Sequence, residues 1–182
     1  MARLPDVLRE QLAPEHQELM KRDITLYRCL ANSPNALRAF QGLGQFIRYG
    51  STLDARLREL AILQVGWVAR APYEWSHHIK IGMDFGVTEA DIHALIADSD
   101  GRPATLDDAA RLVLRAAREA AAGPGISAPT FTALRAHFND EHMTDLVVTI
   151  SFYCAVVRFL ASMDIQVEPE YQKWLERFPL PA

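Results

Sequence analysis

Apolar residues recur along most of this chain at intervals of three or four, the spacing of one face of an α-helix. The pattern is clear between residues 34 and 46, where Leu37, Phe40, Leu43 and Phe46 follow one another every three positions. No sustained alternation of apolar and polar residues is bounded by turn residues, as it would be in a strand. The sequence therefore predicts an all-α protein.

Proline, glycine and capping residues divide this pattern into separate helices. Pro72 ends one helix and begins the next, because proline lacks a backbone donor and restricts the residue before it. Ser51 with Asp54 resembles a capping box, and Thr88 with Asp91 repeats that signature. The predicted helices cover residues 16–30, 34–49, 53–68, 73–85, 91–97, 109–122, 128–138, 142–163 and 171–177.

Two of these helices form a predicted αα-hairpin over residues 53–86, and this hairpin concentrates the ionisable residues of interest. Its first helix is apolar on nearly every side, which is typical of a helix buried in a core or at a subunit interface. This helix carries one acid, Glu59, and the second helix carries Glu74, His77 and His78. We expect any chemistry to take place here.

Glu59 has two interpretations. It is either an exposed acid paired with Arg56 or Arg58, or a buried carboxylate that needs a hydrogen-bonding partner and so marks a site. Folding the hairpin about residue 70 places His78 about one helical turn, roughly 5 Å, from direct register with Glu59. Such a contact would fix the imidazole tautomer and leave its other nitrogen available for proton transfer.

Glu74 lies three residues before His77 and four before His78, so one helical turn presents a carboxylate and an imidazole together. A Glu-x-x-His turn is half of a di-iron carboxylate site, which requires a second such turn. The sequence offers none, since Glu89 and His93 are four residues apart. We expect no metal and no other cofactor, with a metal-dependent oxidase as an alternative.

Composition narrows the classes of partner. The 182-residue chain is long enough for one domain core, and its net charge of −4 comes without a basic block, which argues against nucleic acid and anionic membrane. No apolar signal-peptide centre and no run of 18 uncharged apolar residues occur, so we expect a soluble cytoplasmic protein acting on a small molecule.

Cys29 and Cys154 lie in apolar helical surroundings and are expected to be buried structural thiols.

The hairpin resembles the carboxymuconolactone decarboxylase family, which includes the alkylhydroperoxidase D type peroxidases. The likeness rests on E-L-A-I-L-Q-V-G-W from Glu59, on Y-E-W from Tyr73, and on His78, nineteen residues after the glutamate. It implies an all-helical bundle that assembles as a homo-oligomer, a trimer or a hexamer.

The chain departs from the peroxidase branch of that family at two positions. Members of that branch carry a C-x-x-C whose cysteines lie twelve and fifteen residues after the glutamate. In this chain those positions are Ala71 and Glu74. Without a nucleophilic thiol and a resolving partner, dithiol peroxidase chemistry cannot run at this site.

The resemblance then implies the acid–base chemistry of the decarboxylase branch. His78 is the candidate general acid, Glu59 orients it, and Glu74 is a second acid or base. Several arginines could bind a substrate carboxylate, and Arg48, Arg56, Arg58 and Arg158 are among them. The preferred substrate-binding residues are Arg70 at the hairpin bend, Trp75 and His77.

The sequence as a whole predicts one domain. Residues 53–165 form its family-like core, residues 1–52 a helical extension at the N-terminus, and residues 166–182 a C-terminal tail. We expect a lyase that acts on a small unsaturated or aromatic-derived acid by decarboxylation or a related proton transfer. The alternatives are a non-catalytic binding or assembly protein on the same scaffold, and an alkylhydroperoxidase-like oxidoreductase by family alone.

Overall fold

Helices make up the regular secondary structure of residues 2–181, the part of the chain that the computed structural model describes. The α-helices are α1 (Thr25–Leu30), α2 (Pro34–Gln45), α3 (Ala55–Val68), α4 (Pro72–Asp84), α5 (Glu89–Ser99), α6 (Asp108–Ala122), α7 (Ala128–Leu134), α8 (Asp140–Met163) and α9 (Gln172–Arg177). Short 3₁₀ segments cover Arg9–Gln11, Pro14–Met20 and Pro169–Tyr171, and a π turn covers Phe46–Gly50. The all-α prediction is confirmed.

Helix α3 lies at the centre of the bundle and packs against α4, α6 and α8. Residues 57–67 are all buried, as the apolar pattern of this helix predicts. Gly66 brings α3 close to α4, since a Cβ at this position would lie 3.4 Å from the backbone nitrogen of Trp75. The central helix therefore places its few polar side chains deep inside the protein.

The α3–α4 hairpin forms as predicted around Pro72. Ala71 is extended, with φ −93° and ψ 97°, which relieves the clash with the proline ring. Arg70 precedes it with a φ of 49°, and Gly86 lies just beyond α4 with a φ of 95°. The bend is thus set by local backbone chemistry, and it fixes the register of the two helices.

The predicted first helix, residues 16–30, is wrong as a single element. A 3₁₀ segment ends at Met20, and α1 begins only at Thr25 after an extended Ile24 with φ −126°. The backbone N–H of Thr25 donates to Glu168 Oε1 at 2.8 Å, a contact across 143 positions. A tertiary hydrogen bond therefore takes the place of the helical one that periodicity predicts.

The predicted capping role of Ser51 is also wrong. Asp54 caps α3 by accepting from the backbone nitrogen of Leu57 at 2.9 Å, while the Ser51 hydroxyl donates to Asp145 of α8. The capping box of Thr88 and Asp91 is present as predicted at the start of α5.

Helix α8 is long and apolar enough to cross a membrane by length and composition alone. A buried core helix has the same composition, and α8 packs against α3 and α6. Cys29 and Cys154 are buried and unpaired, in agreement with the expected structural thiols.

Candidate functional site

A buried carboxylate–imidazole pair joins the two helices of the hairpin. Glu59 Oε2 of α3 lies 2.7 Å from His78 Nδ1 of α4, and the two residues are 1% and 4% exposed. The other oxygen of Glu59 accepts from Nε and Nη2 of Arg58, at 3.1 and 3.0 Å. The buried interpretation of Glu59 is therefore correct, and the pairing with Arg58 is present as well.

Glu74 brings a second carboxylate to the same imidazole. Its Oε1 lies 3.0 Å from His78 Nε2, one helical turn away. The two atoms are close enough for an ion pair, but their directions do not meet hydrogen-bond geometry. This buried oxygen of Glu74 therefore has no hydrogen-bond partner within residues 2–181. The nearby imidazole offsets the charge of this oxygen, and its lone pairs remain open to a donor from a ligand.

The two carboxylates determine the charge of His78. Burial lowers the pKa of this imidazole, but Glu74 and Glu59 outweigh burial and raise the pKa to about 9. Burial raises the pKa of Glu59, and the neighbouring His78 and Arg58 outweigh it, so the net pKa is lowered. At neutral pH the site therefore holds an imidazolium against an ionised glutamate.

A cavity of about 70 Å³ lies beside this cluster and is bordered by Glu74, His77 and His78. Its aromatic wall consists of Tyr27, Phe40, Tyr49, Tyr73, Phe152 and Tyr153. The Tyr153 ring meets His78 edge-on, with the ring centroids 5.0 Å apart. A space of this size holds roughly five waters, on the order of 150 Å³ of liquid, and so suits a small molecule.

His77 borders the cavity, but its ring is fixed by other residues. Its Nε2 lies 2.7 Å from Glu168 Oε2, and the ring is stacked between Tyr73 and Tyr171 at 4.1 and 3.6 Å. This arrangement favours a structural or positioning role over direct substrate contact.

The other two predicted substrate-binding residues lie away from this cavity. The Trp75 indole is fully buried and donates from Nε1 to the Phe178 carbonyl at 2.7 Å. Arg70 lines a separate cavity of about 420 Å³ at the hairpin bend, together with Asp164. The structure thus brings Glu59, Glu74, His77 and His78 together and leaves Arg70 and Trp75 apart.

Two residues that border the cavity, Tyr153 and Arg22, are not among the predicted site residues, and the sequence gives no reason to prefer Arg48 over the other arginines. Arg48 is carried by the π turn Phe46–Gly50. Such turns are frequent at functional sites, but no residue pattern in this sequence predicts one.

The metal-dependent alternative requires several ligands at one point. Within residues 2–181, no group of three or more His, Cys, Asp and Glu side chains is placed so as to hold a metal ion.

Residues 34–119 match the model of the carboxymuconolactone decarboxylase family. This segment belongs to that family. It contains the Glu59, Glu74 and His78 cluster, and it begins inside the range that sequence analysis assigns to an N-terminal extension. The resemblance to the carboxymuconolactone decarboxylase family is therefore confirmed, and membership supports a decarboxylase- or peroxidase-related function.

Solved structures show the same fold. The alkylhydroperoxidase AhpD core of an uncharacterized peroxidase-related protein from Ralstonia eutropha JMP134 is 20% identical over 96% of this chain and 95% of that chain, with a TM-score of 0.77. The debrominase Bmp8 bound to 2,3,4-tribromopyrrole is 18% identical over 98% and 100%, with a TM-score of 0.79. An uncharacterized peroxidase-related protein from Silicibacter sp. TM1040 is 20% identical over 80% and 77%, with a TM-score of 0.68. No curated protein sequence matches the chain.

These likenesses establish the all-α, alkylhydroperoxidase D-like architecture of this chain. At such identities they establish the fold alone, and the chemistry has to be argued from the side chains of this chain.

Proposed function

We propose that the protein is a cofactor-independent acid–base enzyme that acts on a small unsaturated or aromatic-derived acid by decarboxylation or a related proton transfer. The observation that carries this proposal is the buried imidazolium of His78, held between Glu59 and an unsatisfied oxygen of Glu74 at the edge of a cavity. A proton donor fixed in this way is what a carbanionic intermediate requires.

In a decarboxylation, the bond to the carboxylate carbon breaks and carbon dioxide leaves. Its electron pair stays on the substrate and is delocalised into a conjugated carbonyl. His78 Nε2 then gives its proton to the new carbanion centre, while Glu59 keeps the Nδ1 proton in place and stabilises the positive ring. The imidazole regains a proton from solvent.

The same residues support proton transfer without loss of carbon dioxide. In an isomerisation, Glu74 accepts a proton from one substrate carbon and His78 donates one to another. The unsatisfied oxygen of Glu74 is the position from which such a base would act.

Thiol chemistry has little support at this site. Ala71 and Glu74 occupy the positions of the redox cysteines, and neither Cys29 nor Cys154 borders the cavity. Burial raises the pKa of both thiols, which disfavours the reactive thiolate.

The proposal predicts that His78→Gln and Glu59→Gln each lower kcat by about 100-fold or more, since positioned acid–base groups contribute about 10²–10⁴-fold. The assay offers the purified protein carboxymuconolactone and related unsaturated acids, and follows carbon dioxide release and deuterium uptake from heavy water. Circular dichroism checks that helix content is unchanged. His137→Gln, at an exposed histidine, is the matched control.

Full activity in either site variant contradicts the proposal. So does peroxide reduction by the wild-type protein that disappears in a Cys29→Ser, Cys154→Ser double variant. If the wild type turns over none of the acids and the site variants only melt at lower temperature, the pair is structural and the protein is a binding or assembly protein.

A further inference from the structure

Two arginines on the cavity wall have no ion-pair partner within residues 2–181. Arg22 and Arg48 both border the cavity and are half-buried, and neither side chain makes an ion pair or a hydrogen bond within residues 2–181. An arginine offers five N–H donors, and partial burial weakens their solvation by water. Their donors are therefore open to acceptors from a ligand.

Other arginines near the hairpin are already neutralised. Arg56 pairs with Asp91 at 2.5 Å and with Asp107 at 2.9 Å. Arg58 pairs with Glu59 at 3.0 Å. These cations serve the fold, whereas Arg48 and Arg22 border the cavity and make no such pair within residues 2–181.

The position of Arg48 is coupled to the acid–base pair. Its backbone carbonyl, in the π turn, accepts from Arg58 Nη1 at 3.3 Å, and Arg58 in turn holds the carboxylate that orients His78. Although burial lowers the pKa of Arg48, Tyr153 and Glu59 outweigh it and raise the pKa, so the side chain is charged. The backbone of Arg48 is therefore linked to the residues that orient His78, and its charged side chain borders the same cavity.

We propose that Arg48, assisted by Arg22, binds a carboxylate that the substrate keeps throughout the reaction. This inference rests on the proposed acid–base function and names its substrate class. An arginine ion pair stabilises a carboxylate more than the neutral carbon dioxide it would become, so a carboxylate held there is protected from loss. The group that leaves lies instead beside the negative charge of Glu74.

Two consequences follow for the substrates. A substrate that loses carbon dioxide is a diacid, with one carboxylate on Arg48 and the other near Glu74. A monoacid binds through Arg48 and undergoes proton transfer without losing carbon dioxide.

The binding step is tested without turnover, by calorimetric titration of the full chain with benzoate and with benzamide. The two probes share a shape and differ in charge. We expect the wild type to bind benzoate about tenfold more tightly than benzamide, and Arg48→Gln to abolish that preference while benzamide affinity changes less than about twofold. Arg102→Gln, at an exposed arginine paired with Asp100, should retain the preference.

Three results overturn the inference. These are undetectable benzoate binding to the wild type, equal affinity of the wild type for the two probes, and a preference for benzoate that survives in Arg48→Gln. His78→Gln separates this inference from the proposed function, because it should retain the preference while losing turnover. A preference lost in His78→Gln but kept in Arg48→Gln would make the imidazolium the anion receptor.

A second experiment measures how fast the wild-type protein releases carbon dioxide from diacids and from matched monoacids. Release from diacids alone supports the retained carboxylate. Release from a monoacid at a comparable rate overturns it, even where the acid–base function itself stands.

Discussion

At the scale of single residues, the decisive feature is a histidine that is more basic when folded than when unfolded. An imidazole buried among apolar groups is ordinarily neutral at pH 7, because burial disfavours its charge. His78 is 4% exposed, yet Glu59 at 2.7 Å and Glu74 at 3.0 Å favour the imidazolium. His78 is therefore protonated at neutral pH and borders the cavity.

We expect the His78 ring to titrate near pH 9 by NMR, against an ordinary value of 6.5. The stability that its protonation contributes is fully present below pH 6.5 and is lost as pH rises through about 9. Unfolding by urea at pH 6.5 and pH 9.5 should show this as a decline on the order of 3 kcal/mol, absent in His78→Gln. A ring that titrates below pH 6.5 would contradict it.

The same titration predicts the pH dependence of catalysis. Because the proton donor is the imidazolium, the rate of proton donation should be level between pH 7 and 8 and fall above about pH 9. A rate that rises through pH 9 would show that neutral His78 is the active form.

At the scale of elements, the carboxylate of Glu168 binds the C-terminal tail to residues of the cavity wall. Glu168 Oε1 accepts from the Thr25 backbone nitrogen at 2.8 Å and from the Tyr73 hydroxyl at 3.2 Å, and Oε2 lies 2.7 Å from His77 Nε2. Burial raises the pKa of Glu168, but His77 and the Thr25 N–H outweigh it and lower the pKa to about 2. The tail, α1 and α4 therefore share a single anionic anchor.

Replacing this anchor should loosen all three elements together. We expect Glu168→Ala to lower the free energy of unfolding by about 2–3 kcal/mol, because several donors lose a charged acceptor. Glu170→Ala, two residues on and exposed, should change it by less than about 0.5 kcal/mol. Denaturant unfolding of both variants makes the comparison, and equal stabilities would refute the anchoring role.

At the scale of the whole molecule, one face carries large apolar side chains into solvent. Leu43, Phe46 and Tyr49 lie on α2 and the π turn that follows, and are 36%, 42% and 69% exposed. The first two belong to the apolar residues that recur every three positions in the sequence of α2 and the π turn. A run of exposed apolar side chains is typical of a surface that another protein covers.

We propose that a second copy of the chain covers this face, consistent with the homo-oligomer that the family resemblance implies. Sedimentation should then give a mass well above the 20.4 kDa of one chain. Phe46→Glu should shift the protein toward the monomer, because a charge at a buried contact is costly. Phe131→Glu, at an exposed phenylalanine on α7, should not. A monomeric wild type would exclude this assembly.

The sequence by itself determined the hairpin and its central pair. The break at Pro72 and the helical period fix the register of α3 and α4, so the contact between Glu59 and His78 follows from local rules. The capping box of Thr88 and Asp91 likewise depends on residues only three positions apart.

Only the tertiary structure decided what surrounds that pair. The cavity combines residues from the segment before α1, the π turn and α8, among them Arg22, Arg48 and Tyr153. The contacts of Glu168 with Thr25 and His77 span 143 and 91 positions. Periodicity and capping report which residues share a helix face within one segment, whereas the meeting of distant segments depends on how the whole core packs.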